Sequence, residues 1–192
     1  MTGYLKLYNL FAFCFWLAYL ASFFASGLVL NSQNILLLNI AQGLAVLEIV
    51  HALLGWVKSP VASTTAQVLS RLLVLAMINI YYSTATHFIF GYGVITVSLA
   101  WSITELVRYS YYFFLLQSRE VKWLTWMRYS FFIVLYPLGV TGEWLIICAP
   151  IVAKGFSLDF YTVAALVVAA AYIYYFPVLY GYMWKQRKKK LV

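Results

Sequence analysis

FFIVLYPLGVTGEWLIICAPIV, residues 131–152, holds a single charged side chain, Glu143, in a run otherwise apolar enough to cross a membrane. A helix rises about 1.5 Å per residue, so roughly 20 residues span a hydrocarbon core of about 30 Å. A barrel strand would be about half that length and would alternate polar with apolar positions. Nothing alternates here. A helix is then the element that satisfies its own backbone within lipid.

Working outward, five further apolar stretches cover approximately residues 8–30, 35–57, 66–82, 92–116 and 161–182. Short breaks divide the six: NSQN at 31–34, KSP at 58–60, GYG at 91–93, QSRE at 117–120 and KG at 154–155. These are turn and boundary residues. The whole composition agrees. Hydrophobic residues make up 65% of the 192 and charged residues 9%, with mean hydropathy +0.88. Soluble domains carry about 25% charged and about 45–50% apolar residues. We expect an all-α, polytopic membrane protein: one six-transmembrane-helix domain over residues 1–192, with a short basic tail at 185–192.

Charge orients the bundle. Threading six helices puts Lys6, Lys58, Arg119, Lys122, Arg128 and the tail on one side, and leaves Lys154, offset by Asp159, on the other. The positive-inside rule then makes both termini cytoplasmic. The first span is too long for a signal-peptide core and shows no clear small-residue cleavage site after it. Lys189 and Lys190, third and fourth from the end of the tail, look like a dilysine retrieval signal of the endoplasmic reticulum; an ordinary basic membrane anchor has the same composition. The formal net charge of +8 does not point to nucleic acid, because the chain offers no basic face outside lipid. Cys14 and Cys148 lie in apolar runs, so both read as small buried hydrophobes with neither disulfide nor metal spacing.

Ionisable groups within spans are costly and face a bundle interior or a wet cavity. This chain has Glu48, His51, Arg71, Glu105, Arg108 and Glu143. Glu48 and His51 are three apart and share a helix face, as do Glu105 and Arg108. The economical reading pairs Arg71 and Arg108 with Glu48 and Glu105 as interhelical glue. A sharper one uses depth: His51, Arg71 and Arg108 fall roughly 8–12 Å into the membrane from the cytoplasmic side. With Arg128 at the boundary they outline a wet, net-basic funnel for a polyanion with an apolar tail.

Glu143 lies about 18 Å deep with no basic neighbour on its span. Tyr136 precedes it by seven residues, two helical turns, so both project from nearly one face with Cα atoms roughly 10 Å apart. Pro137 removes a backbone hydrogen bond, and Gly139 and Gly142 permit close approach or bending. A bent segment would bring phenol and carboxyl to one small substrate; a kinked structural helix is the plainer alternative. A phenol and a carboxyl can move protons both ways, as water elimination from a 3-hydroxyacyl thioester requires. Glu143 suits the base and Tyr136 the acid or carbonyl donor, but the residues alone leave the roles reversible.

YPLGVTGE, residues 136–143, resembles the Tyr-Pro-x-Gly-x-x-x-Glu signature of the 3-hydroxyacyl-CoA dehydratase family, also called protein tyrosine phosphatase-like proteins. Matching segments fall in order: YLKLYN at 4–9, LEIVH at 47–51, QVLSR at 67–71, AWSITE at 100–105 with Arg108-Tyr109, and MRY at 127–129. The resemblance covers nearly the whole chain; the last span matches only in hydrophobicity and tail. It implies an enzyme of the endoplasmic reticulum that converts long-chain 3-hydroxyacyl-CoA to trans-2-enoyl-CoA, the third step of very-long-chain fatty-acid elongation. It implies no metal or redox cofactor, the substrate itself carrying coenzyme A. It also implies work beside a condensing enzyme and the ketoacyl and enoyl reductases. Tyr136 and Glu143 match the family's catalytic pair. Arg71, Arg128 and Gly139 match residues that the family needs more for integrity than for chemistry. Neither cysteine is followed six residues later by Arg, so the older name brings no phosphatase nucleophile. An inactive dehydratase-like scaffold would be favoured by loss of Tyr136 or Glu143, and both are present. A small transporter would be favoured by paired broken helices, and the chain shows one kinked segment.

Overall fold

The computed structural model describes residues 2–83 and 87–191, and among them every regular element is helical. Six helices are long and apolar enough to cross a membrane: α1 (Thr2–Ala25), α2 (Ser32–Leu53), α3 (Val61–Tyr81), α4 (Phe88–Leu115), α6 (Phe132–Lys154) and α7 (Phe160–Leu191). The seventh, α5 (Lys122–Ser130), is short. The last residue of the expected basic tail, Val192, lies outside the described residues; the rest of the tail continues α7 as helix.

Four expectations are corrected. GYG at 91–93, read as a break between spans, is helical and lies within α4. The first span ends at Ala25 rather than near residue 30, because the chain turns through Gly27 and Leu28 at positive φ (70° and 64°). Asn31 then opens α2 with a capping box: its side chain accepts from the Asn34 N–H at 2.9 Å, and Asn34 accepts from the Asn31 N–H at 2.8 Å. The break after the fourth span is not all loop, since α5 lies within it. On α5, Leu124, Thr125 and Ser130 are buried while Lys122, Trp123 and Trp126 are exposed, the pattern of a helix lying along an interface. Cys14 is exposed rather than buried, and Cys148 is half-buried; both are free thiols. The buried face of α1 runs through Leu5, Tyr8, Asn9, Ala12, Trp16, Tyr19 and Phe23, and position 14 points away from it.

Burial is inverted relative to a water-soluble protein. Leu7, Phe11, Leu17 and Phe24 face outward, whereas Asn34, Gln42, Ser98, Ser102 and Glu105 are buried. Lipid covers the first group without cost, and within the second the side chains of Asn34, Ser98 and Glu105 find partners inside. Asn39 and Asn79 exchange reciprocal amide bonds of 2.9 and 2.8 Å between α2 and α3. Tyr19 and Ser98 share a 2.6 Å hydrogen bond between α1 and α4.

α4 is the central element, packed against α1, α5 and α6, while α7 rests mainly on α5 and α6. The α4–α6 contact is a close crossing. A Cβ at Gly142 would collide with Thr96 Oγ1, with Val97 Cγ2 at 2.7 Å and with the Gly93 carbonyl at 2.9 Å. A Cβ at Gly93 would meet Ile146 Cγ1 at 2.9 Å and the Gly142 carbonyl at 3.0 Å. Two glycines therefore set the spacing, as small residues do between membrane helices. Gly139 is buried one turn away, where a Cβ would only touch Ala100 at 3.5 Å.

Candidate active site

α6 carries both residues of the signature, and it continues as helix through Pro137 and Pro150. The expected bend is not needed to keep the backbone satisfied. Pro137 has no N–H, so the Ile133 carbonyl four residues back lacks its helical donor. The Tyr180 hydroxyl of α7 donates to that carbonyl at 3.1 Å. The Tyr180 ring also lies nearly parallel to Tyr136, centroids 6.1 Å apart, and Phe176 stacks on Tyr136 at 5.2 Å. Tyr136 is thus a half-buried phenol in a three-ring stack between α6 and α7. Phe132 and Trp184 each meet the Tyr180 ring edge-on, and the Arg187 guanidinium lies 5.6 Å from the Trp184 ring.

Glu143 is buried, 9% exposed, in the middle of α6. Its Oε1 accepts from Trp101 Nε1 on α4 at 2.9 Å, and its Oε2 accepts from the Tyr172 hydroxyl on α7 at 2.6 Å. No hydrogen bond joins Tyr136 to Glu143 among the described residues. They lie on one helix, about two turns apart.

The remaining ionisable residues meet at one place. Arg108 Nη1 and Nη2 donate to the two oxygens of Glu48 at 2.6 and 2.5 Å, and Nε donates to Glu105 Oε2 at 2.7 Å. Arg71 Nη1 donates to Glu105 Oε1 at 2.6 Å. The Tyr109 and Tyr8 hydroxyls add bonds to Glu48 Oε1 at 2.7 and 3.2 Å. Bidentate geometry of this kind is the strongest form of ion pair. His51 is buried nearby: Tyr4 hydrogen-bonds its Nε2 at 3.0 Å, and Trp56 stacks on it at 5.7 Å. Arg128 is half-buried on α5, apart from this cluster. The net-basic funnel is therefore corrected. Two arginines and two glutamates neutralise one another and tie α2, α3 and α4 together, because uncompensated charge at this depth is too costly. Among the described residues no three His, Cys, Asp or Glu side chains are grouped to hold a metal ion.

A family model for Protein tyrosine phosphatase-like protein, PTPLA, matches residues 42–192. The chain belongs to the protein tyrosine phosphatase-like family. Relatives match over most of their own length. A Caenorhabditis elegans very-long-chain (3R)-3-hydroxyacyl-CoA dehydratase, hpo-8, is 38% identical over 169 residues, covering 80% of this chain and 76% of that one. The human very-long-chain (3R)-3-hydroxyacyl-CoA dehydratase 2 is 35% identical over 214 residues, covering 99% and 81%. The Arabidopsis thaliana very-long-chain (3R)-3-hydroxyacyl-CoA dehydratase PASTICCINO 2 is 34% identical over 213 residues, covering 98% and 92%. No solved structure matches the chain.

Within this protein tyrosine phosphatase-like chain, the structure adds Trp101 and Tyr172 to the surroundings of Glu143. Neither was singled out as a site residue from sequence. The chain has 7 Trp and 17 Tyr, so one more aromatic residue in a span carries no signal by itself. Only the packing of α4 and α7 on α6 selects these two.

Proposed function

We propose that this chain is a (3R)-3-hydroxyacyl-CoA dehydratase that eliminates water to give the trans-2-enoyl-CoA in very-long-chain fatty-acid elongation. The observation that carries the chemistry is Glu143: a carboxylate sunk in the bundle, accepting a hydrogen bond at each oxygen, on the same helix as Tyr136. A carboxylate that accepts at both oxygens is suited to the base. It takes the proton from C2 of the thioester, the C2–H electrons move into the C2=C3 bond, and the C3–O bond breaks. The Tyr136 O–H protonates the departing hydroxyl, which leaves as water. The proton held by Glu143 then returns to the tyrosinate before the next turnover.

Tyr136 lies one turn inside the α6 N-terminus and Glu143 about 10 Å deeper. A substrate entering from that end keeps its coenzyme A outside and runs its acyl chain into the apolar bundle. That end is cytoplasmic in our reading, as are both chain termini, and the membrane is that of the endoplasmic reticulum. The substrate is an acyl thioester whose own chemistry suffices, so no metal or redox cofactor is assigned. The condensing enzyme and the two reductases of the cycle are the expected neighbours, since they supply this substrate and consume this product.

The test is turnover of a long-chain 3-hydroxyacyl-CoA by the detergent-solubilised chain. General acid–base groups contribute about 10²- to 10⁴-fold each, so Tyr136→Phe and Glu143→Gln should lose at least that much kcat while remaining folded. A folded parent that turns over no chain length would sink the enzyme reading and leave an inactive scaffold.

A further inference from the structure

A glutamate on a helix is a flexible base, and a displacement of about 1 Å at the reacting atoms can cost about 10²-fold in rate. Something must hold the Glu143 carboxyl still. The two hydrogen bonds on it come from two different helices: Trp101 Nε1 of α4 reaches Oε1 at 2.9 Å, and the Tyr172 hydroxyl of α7 reaches Oε2 at 2.6 Å. Each oxygen therefore has its own donor, and the carboxyl plane cannot rotate without breaking one of them.

The Trp101 ring is itself held. It is 6% exposed, and the Arg71 guanidinium lies over it, 5.0 Å from the ring centroid. A second indole, Trp16 of α1, faces the same guanidinium at 5.6 Å. A cation against an indole face is an attractive contact that strengthens as water is excluded. Arg71 cannot drift, because Glu105 binds its Nη1 at 2.6 Å and Arg108 binds Glu105 in turn at 2.7 Å. A continuous set of contacts thus runs from the Glu48–Arg108–Glu105–Arg71 cluster through the Trp101 ring to one oxygen of Glu143.

We propose that Trp101 and Tyr172 are positioning residues of the dehydration: together they hold the Glu143 carboxylate at both oxygens, with Arg71 fixing Trp101 from behind. The inference deepens the dehydratase reading and rests on it. It gives the buried ion pairs a second consequence besides joining helices, since they keep the indole N–H aimed at the base. It also separates two tyrosines near one glutamate. Tyr172 directs its proton to Glu143, whereas the Tyr136 hydroxyl makes no hydrogen bond among the described residues and is left to serve the substrate.

The experiment is steady-state kinetics on the full chain in detergent, comparing the parent with Tyr172→Phe, Trp101→Phe, Tyr136→Phe and Glu143→Gln, each checked by thermal unfolding. Tyr172→Phe removes one oxygen and no packing volume, and Trp101→Phe removes the N–H. Both are expected to keep KM within about twofold and to lose about 10- to 100-fold in kcat, the cost of a mispositioned base. A purely structural role would lower the melting temperature and leave kcat of the folded fraction alone. If Trp101→Phe does not fold, Tyr172→Phe decides. Parent-like kcat in the folded variants, or a loss confined to KM, overturns the positioning role while an inert Glu143→Gln leaves the dehydratase reading standing. A parent without turnover overturns both.

Discussion

Arg108 answers two glutamates at once, and that makes it the most exacting single residue in the bundle. Its three bonds to Glu48 and Glu105 use the planar fork of a guanidinium, which a lysine ammonium does not reproduce. Removing one partner of a buried pair leaves the other charge uncompensated, at about 3–5 kcal/mol. We therefore expect Arg108→Leu to lower the melting temperature in detergent steeply, and Arg108→Lys to recover only part of the loss. Glu48→Gln combined with Arg108→Leu should be milder than Arg108→Leu alone, because one stranded carboxylate is removed with the arginine. The pairing itself was legible in the sequence, since charges in apolar spans have few ways to survive. Its exact bookkeeping was not: that Arg108 takes both glutamates, and Arg71 one glutamate and two indoles, depends on side-chain reach across four helices. Trp101 and Tyr172 were illegible for a different reason. Tryptophan and tyrosine occur throughout the chain, many of them exposed as lipid-facing and interfacial anchors, and only tertiary packing turns these two into donors to Glu143.

At the scale of elements, the six long apolar helices were readable because apolar runs of that length have one stable form in lipid. Their ends were less so. The amphipathic α5 escaped because Lys122, Trp123, Trp126 and Arg128 break its nine residues into a sequence that resembles a loop. The α4–α6 crossing was half legible: Gly142 was marked for close approach, but its partner Gly93 sat in what read as a turn. This predicts a sharp contrast between neighbouring glycines. Gly142→Ala drives a Cβ into the Gly93 carbonyl, a backbone atom that cannot swing away, and should cost about 1–3 kcal/mol. Gly139→Ala makes an ordinary 3.5 Å contact with Ala100 and should unfold at nearly the parent temperature. Thermal melts of the two variants check this directly. The start of α7 offers a pH test. The Thr162 amide, at 2.7 Å, and the Ser157 hydroxyl hold the Asp159 carboxyl below the usual carboxylate range. A carboxyl whose folded pKa is depressed stabilises above its ordinary pKa and stops doing so as pH falls through the folded value. The first turn of α7 should therefore fray below about pH 4, seen as faster exchange of the Thr162 amide. Asp159→Asn retains a capping acceptor and should remove that pH dependence.

The molecule as a whole is apolar outside and polar within, so its orientation in a membrane has to be written in the charges at helix ends. Six spans in alternation place the N-terminus of α1, the α2–α3 turn, the α4–α6 connection with α5, and the C-terminus of α7 on one side. Lys6, Lys58, Arg119, Lys122, Arg128 and the basic end of α7 all fall there, while the loop after α6 has Lys154 and Asp159. In the proposed orientation, which follows the positive-inside rule, the first side is cytoplasmic. The proposed catalysis depends on this choice, because Tyr136 lies near the α6 N-terminus on that same side and a coenzyme A thioester made in the cytosol must reach it. An N-glycosylation acceptor built into residues 155–159, on a spacer long enough to reach the glycosylating enzyme, should be modified in microsomes. The same acceptor appended after the α7 basic end should not be. Modification of the appended site alone would invert the bundle, put Tyr136 on the lumenal side, and remove the route by which a cytosolic acyl-CoA enters. Modification of both would break the six-span count itself, since a single crossing by α7 cannot leave the 155–159 loop and the chain end on one face.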